Sequence, residues 1–231
     1  MNTTHIGSLP YLSVDEAVQF NNHITLPCLP TLPKLFANEW MLNQFLCGFM
    51  LEEHVLPFCC ADEFFKKYKG RVKIQLCGIQ TLFNNIPYPV EKSNFVSWYT
   101  KTVRRFLDTI ENEFVLFFDE PDLRSLDIEL WKVYSQFNLK DQGIHSCAKG
   151  DWKKFDLSSF NHISFDSRLI SSTEIDHLRK NNKILYFGDL DTKSGDSFNS
   201  IIKESDFLTP SCGLALNDLS SVLKIQNQLI F

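Results

Sequence analysis

The stretch GIHSCAKGDW places His145 and Cys147 two residues apart at the end of a short apolar run. On a β-strand, residues i and i+2 share a face, so an imidazole and a thiol at this spacing can reach one ion. A second thiol, Cys212 in TPSCGL, closes another apolar run and precedes a glycine suited to a tight turn. Two thiolates with one imidazole form a tetrahedral zinc set whose fourth position is open to a carboxylate, water or substrate, and thiolates select zinc over magnesium or calcium. Asp166, at the end of the strand after the His145 strand, is the nearest carboxylate candidate. The competing reading is equally simple: a buried free cysteine packs as a small apolar residue, and H-x-C alone does not separate a metal site from an ordinary strand end.

Two further acids, Asp119 and Glu120, end the apolar run FVLFF and precede Pro121. Acids at this place suit a helix start, and they equally suit a carboxylate that binds a substrate ammonium. The other five cysteines read as packing. Cys28 sits in the proline-spaced LPCLPTLP, Cys47 in a helix, and Cys77 after an apolar run. Cys59 and Cys60 are adjacent and would face opposite ways on a strand.

These residues need a scaffold that brings strand ends together. Short apolar runs predict strands at 4–9, 71–78, 113–120, 143–147, 162–167, 183–190 and 206–213. Amphipathic stretches predict helices at 14–22, 37–53, 94–112, 127–138, 171–181, 194–205 and 216–229. In 94–112 the apolar residues Phe95, Val96, Tyr99, Val103, Phe106, Leu107 and Ile110 follow helical spacing, whereas FVLFF is a continuous run expected of a strand covered on both faces. Strand–helix alternation along a whole chain predicts a parallel α/β sheet. With room for one more strand, the expected fold is a (β/α)8 TIM-type barrel, compact or partly reduced, as one domain over 1–231. An open doubly wound sheet is the alternative, without a G-x-G-x-x-G or P-loop sequence to favour it. Both folds gather their sites at the carboxyl ends of the strands, where these polar residues fall.

Bulk properties narrow the function. The net charge is −5 with no basic cluster, which argues against a nucleic-acid partner. No apolar run approaches the roughly 18 residues of a membrane span. MNTTHIGSLP lacks a basic start and an apolar core, so the expected location is the cytoplasm, where seven cysteines stay as thiols or metal ligands.

Eight segments in order resemble the catalytic barrel of cobalamin-independent methionine synthase, in the superfamily shared with uroporphyrinogen decarboxylase. They are HIGSLP (5–10), LPCLPTLPK (26–34), KIQLCGIQTL (73–82), FFDEPDL (117–123), GIHSCAKGDW (143–152), ISFDS (163–167), FGDLDT (187–192) and LTPSCGLA (208–215). The resemblance implies a (β/α)8 barrel with zinc at the strand ends, held by His145, Cys147 and Cys212, with Asp166 at the position of the family's glutamate ligand. It implies a homocysteine-like small thiol, bound through Ile6 and Ser8 of the I-G-S loop and through Asp119, and methylated by a folate or a methyl-corrinoid protein. The family's G-P-x-T loop reads Gly78-Ile79-Gln80-Thr81 here, and Lys193 stands where the family has a proposed proton-donating histidine. Two rival expectations are a repurposed barrel that keeps zinc without turnover, and a decarboxylase of the same superfamily using Arg124, Arg168 and Lys193 as its cations.

Overall fold

The structure is a computed structural model that describes residues 1–121, 127–198 and 202–230. Its centre is a curled, seven-stranded, wholly parallel sheet in the order β1-β7-β6-β5-β4-β3-β2. The strands are β1 (Asn2–Thr3), β2 (Val72–Cys77), β3 (Phe114–Asp119), β4 (Gln142–Ser146), β5 (His162–Asp166), β6 (Ile184–Leu190) and β7 (Phe207–Pro210). Six of these follow the expected runs within three residues at either end. The first is formally shorter and earlier than 4–9, although Thr4 N–H still bonds to Leu208 O (3.0 Å).

The helices are α1 (Val14–Gln19), α2 (Asn43–Met50), α3 (Ala61–Lys67), α4 (Ile79–Asn84), α5 (Lys92–Leu107), α6 (Ile128–Phe137), α7 (Ser172–Lys180) and α8 (Leu219–Leu229). Their starts follow from capping residues. Asp127 accepts from Glu129 N and Leu130 N, Ser171 and Glu174 form a capping box, and Asp218 accepts from Ser221 N. One expected helix, 194–205, is not formed over its described part: Ser197 instead bridges Leu190 antiparallel, and 199–201 lie outside the described residues. The run S-G-D-S is a poor helix former, and Asp191 turns the chain there by accepting from Lys193 N and Ser194 N.

Strand pleating sorts the residues into two faces. Ile74, Leu76, Leu116, Phe118, Ile144, Ile163, Phe165 and Leu185 join the helices' Phe95, Tyr99, Val103, Tyr134, Leu178 and Val222 in the main core. The concave face holds a small separate apolar cluster of Leu26, Val115, Phe117 and Tyr186, with Phe207 against it. Polar residues occupy the rest of that face.

The segment 25–31 lies between the two edge strands and bonds to both. Leu26 N donates to Thr3 O (3.0 Å), Lys73 N to Pro27 O (2.7 Å) and Leu29 N to Lys73 O (2.9 Å). Thr31 N donates to Gly7 O (3.1 Å) and Leu9 N to Thr31 O (2.9 Å). Pro27 and Pro30 have no N–H, so no continuous ladder can form across this segment. Among the described residues no helix is long and apolar enough to cross a membrane.

Candidate functional site

Register puts the chemistry in one row on the concave face. Cys77 pairs with Asp119, Asp119 with His145, and His145 with Ser164. A cavity of about 350 Å³ opens above this row at the carboxyl ends of the strands, and Ile6, Ser8, Asp119, His145, Cys147 and Cys212 all line it. Six of the eight sequence candidates thus meet at one place.

The two thiols are close. Cys147 and Cys212 sulfurs lie 3.6 Å apart, with Cys147 half-buried and Cys212 exposed at the rim. Two thiolates bound tetrahedrally at about 2.3 Å would sit about 3.8 Å apart, so the pair fits a shared metal ion. The hydrogen bond between them couples their acidities, raising Cys147 and bringing Cys212 down to about 7. His145 is buried. Its Nδ1 is 2.8 Å from Ser164 Oγ, and Nε2 has no partner among the described residues. With Nδ1–H donated to the serine, Nε2 keeps a lone pair, the arrangement that orients a metal-binding imidazole. Burial, then the Lys73 charge, pushes His145 down to about 3, so the ring is neutral.

Two candidates stand apart. Asp166 does not line the cavity, because Arg168 holds its carboxylate through Nε (3.0 Å) and Nη2 (2.7 Å), with the Arg168 backbone N–H adding a third bond (2.9 Å). Arg168 also reaches Asp191 (3.2 Å). Lys193 is exposed, outside the cavity lining. Among the described residues no three His, Cys, Asp or Glu side chains are already drawn together as a metal cage. Arg124 lies outside the described residues.

The paired acids divide between the two faces. Asp119 points into the cavity and Glu120, one residue on, points out to the helix layer. Glu120 accepts from Gln80 N (3.0 Å), Thr81 N (2.9 Å), the Thr81 hydroxyl and the Tyr134 hydroxyl, tying the first turn of α4 to the end of β3. The helix-start reading therefore fits Glu120, though for a neighbouring helix. The Asp119 carboxyl accepts from the Gln75 amide, its one side-chain hydrogen bond among the described residues. Burial pushes it up to about 8, against the pull of the Lys73 charge and of the Gln75 bond.

The I-G-S loop is held from beneath. Gly7 takes φ +86°, a left-handed value that favours glycine, and its N–H donates to His5 Nδ1 (3.1 Å). His5 Nε2 in turn donates to Asn21 Oδ1 (2.9 Å), and the buried Lys73 ammonium donates to His5 O (2.7 Å) while lying 4.7 Å from the Phe117 ring centre. Burial lowers both His5 and Lys73, the former to about 3. Gly213 completes the joint, since a Cβ there would stand 2.1 Å from Ser8 Oγ.

Reasoning from sequence missed Gln75, Gln44 and Lys73. For Gln75 and Lys73 a signal was present in KIQLC, where Lys73, Gln75 and Cys77 alternate onto one face of a strand otherwise made of apolar residues. Gln44 carried no such signal, because it enters the cavity lining from helix α2. No protein-family model matches the chain, and a search of curated proteins also finds no match.

Proposed function

We propose that this chain is a zinc-dependent, methyltransferase-like protein that transfers a methyl group to a small thiol, a reduced single-barrel relative of cobalamin-independent methionine synthase. The observation that carries this reading is the pair of thiols 3.6 Å apart with the unpartnered His145 Nε2 on the same cavity. In this reading the curled sheet is a (β/α)8 barrel in which segment 25–31 acts as a degenerate eighth strand, supported by its hydrogen bonds to both edges. Free thiols at all seven cysteines fit a reducing compartment such as the cytoplasm.

Cys147, Cys212 and His145 would hold the zinc. Asp166 does not fit as the fourth ligand while Arg168 occupies both of its oxygens. Zinc bound there supplies a Lewis acid that favours the deprotonated form of a substrate thiol, which is otherwise mostly protonated at neutral pH. Ser164 fixes the His145 ring, Asp119, raised to about 8 by burial, would ionise on meeting a substrate ammonium, and the joint of Ser8 with Gly213 positions the loop at the cavity. Holding the thiol at one point leaves a methyl donor, a folate or a methyl-corrinoid protein, to approach from the open mouth.

A repurposed barrel that binds zinc and a thiol without turnover is favoured by one observation: Lys193, at the proton-donor position, is exposed and outside the cavity lining. The decarboxylase reading lacks support, because no Lys or Arg lines the cavity among the described residues. Metal analysis tests the proposal: one zinc per chain, lost in Cys147→Ser and in Cys212→Ser, is the expected result. Sub-stoichiometric zinc in well-folded protein would sink it. Thioether formation from homocysteine with 5-methyltetrahydrofolate or methylcobalamin, read by mass spectrometry, then separates turnover from binding alone.

A further inference from the structure

The strand ends and the loops beyond them bring different chemistry to the cavity. Cys77, Asp119 and His145, on strands, form its floor, with Cys147 just past β4 and Cys212 just past β7. The walls come from loops: Pro33, Trp40 and Met41 before α2, Pro121 after β3, and Ala215 and Leu216 after β7. Polar groups in the loop walls include the hydroxyls of Ser8 and Thr31 and the Trp40 indole N–H. Glu39 and Gln44, which also line the cavity, bond to the chain itself. The Glu39 carboxylate takes the N–H groups of Leu32 and Cys59, and the Gln44 amide donates to Glu39 O (3.1 Å).

Two facing walls each hold a large apolar side chain in water on a fixed backbone. Trp40 is 36% exposed and Leu216 80%. Trp40 follows the clamped Glu39, and its own carbonyl accepts from Gln44 N (3.0 Å). Leu216 stands in a turn closed by Asn217 N on Leu214 O (3.0 Å), and Leu214 N donates to Ser8 O (2.9 Å). The Asn217 amide donates to Thr192 O, and Lys34 Nζ donates to Asn217 O (3.3 Å), which ties one wall to the other. Large apolar side chains left in water around a cleft mark a binding surface, and a platform already fixed loses little freedom when it is covered. The cleft here measures about 350 Å³, within the range of small-molecule sites, and its floor carries the two thiols.

We propose that the cavity selects its thiol by the carbon skeleton: an alkyl or arylalkyl thiol whose apolar chain or ring packs against Trp40, Met41 and Leu216 while its sulfur lies at Cys147 and Cys212. The ligand class is then an apolar thiol, or the thioether made from it, rather than a small zwitterionic aminothiol. This deepens the proposed function and rests on its thiol site, but it stands on the loop walls rather than the metal ligands, so the two can fail separately.

The test is calorimetric titration of the full chain. Zinc-loaded protein meets propane-, butane- and pentane-1-thiol, phenylmethanethiol, homocysteine and 2-sulfanylethanol; zinc-free protein meets the methyl thioethers of the same alkyl and benzyl skeletons. The expected result is an affinity that rises about fourfold with each methylene, the worth of burying one CH₂, in both series. Phenylmethanethiol binds at least about tenfold tighter than homocysteine. Trp40→Ala weakens phenylmethanethiol at least about tenfold and leaves zinc content and 2-sulfanylethanol unchanged, while Trp40→Phe keeps most of the affinity. Leu216→Ser, at a site too exposed to matter for folding, weakens pentane-1-thiol about three- to tenfold. A flat chain-length series, homocysteine binding tighter than phenylmethanethiol, or no binding of any apolar probe to natively folded protein overturns the proposal. So does a phenylmethanethiol affinity that neither variant changes. If the thioethers bind with the expected steps but zinc does not bind, the methyltransferase reading falls and this one stands. If zinc and homocysteine bind while the apolar thiols and thioethers show no preference for longer chains, the reverse holds.

Discussion

Glu120→Gln replaces one oxygen of a buried carboxylate by an NH₂ group and leaves the shape almost unchanged. All four groups around Glu120 donate to it: two backbone N–H groups, of Gln80 and Thr81, and two hydroxyls, of Thr81 and Tyr134. The hydroxyls can rotate and accept from an amide, but the N–H groups cannot. Gln80 N addresses one oxygen and Thr81 N the other, so either orientation of the amide sets NH₂ against an N–H. One orphaned buried donor costs about 1–3 kcal/mol, and the remaining bonds weaken when their acceptor loses its charge. Relief from burying a charge offsets part of this. The expected loss is about 3 kcal/mol, a shift of about 1 M or more in the urea midpoint followed by circular dichroism on the zinc-free protein. Tyr134→Phe, which deletes one hydroxyl donor, costs less, about 1 kcal/mol. A Glu120→Gln protein within about 0.5 kcal/mol of wild type would refute the claim that this carboxylate ties α4 to β3.

Acid sensitivity follows from the buried histidines. His5 and His145 are both pushed to about 3 by burial, so the unfolded chain takes up protons below its ordinary value near 6.5 while the folded chain does not. Stability present at pH 7 is therefore lost as pH falls, by about 2 kcal/mol per histidine at pH 5, and His5→Gln flattens the dependence of the urea midpoint on pH between 7 and 5. Gly213→Ala sets a methyl against Ser8 Oγ, which can rotate aside because the Ser8 Cβ stays 3.5 Å away, so thermal melts show a loss below about 1 kcal/mol that adding Ser8→Ala removes. Asp166→Asn leaves the zinc content of the purified protein unchanged, because Arg168 already occupies that carboxylate; loss of zinc in this variant would restore Asp166 as a ligand.

The alternation of apolar runs and amphipathic stretches determined most of the scaffold. Six strands lie close to where their apolar runs place them, because every second residue must be apolar to pack against the helices while the strand as a whole is out of water. The exceptions have local causes. Segment 25–31 is interrupted by prolines, so it carries no strand pattern although Leu26 N and Leu29 N pair with the two edges. Helix 194–205 was expected from an apolar spacing that Gly195 and the Asp191 turn override.

The types of the site residues were also legible. A thiol and an imidazole two apart on a strand, a second thiol before a glycine, and an acid closing an apolar run follow from local chemistry and from the period of a strand. Tertiary structure decided which of them meet. Only the register of β2, β3, β4 and β5 could align Cys77, Asp119, His145 and Ser164, and only the curl of the sheet could bring Cys212 to Cys147. Only the fold could show that Arg168 withdraws Asp166, or that Gln44 and Gln75 join the cavity lining. The physical reason is one of range: pleating and helical period act within a few residues, whereas a cavity's balance of donors and acceptors sums over segments that the sequence keeps far apart.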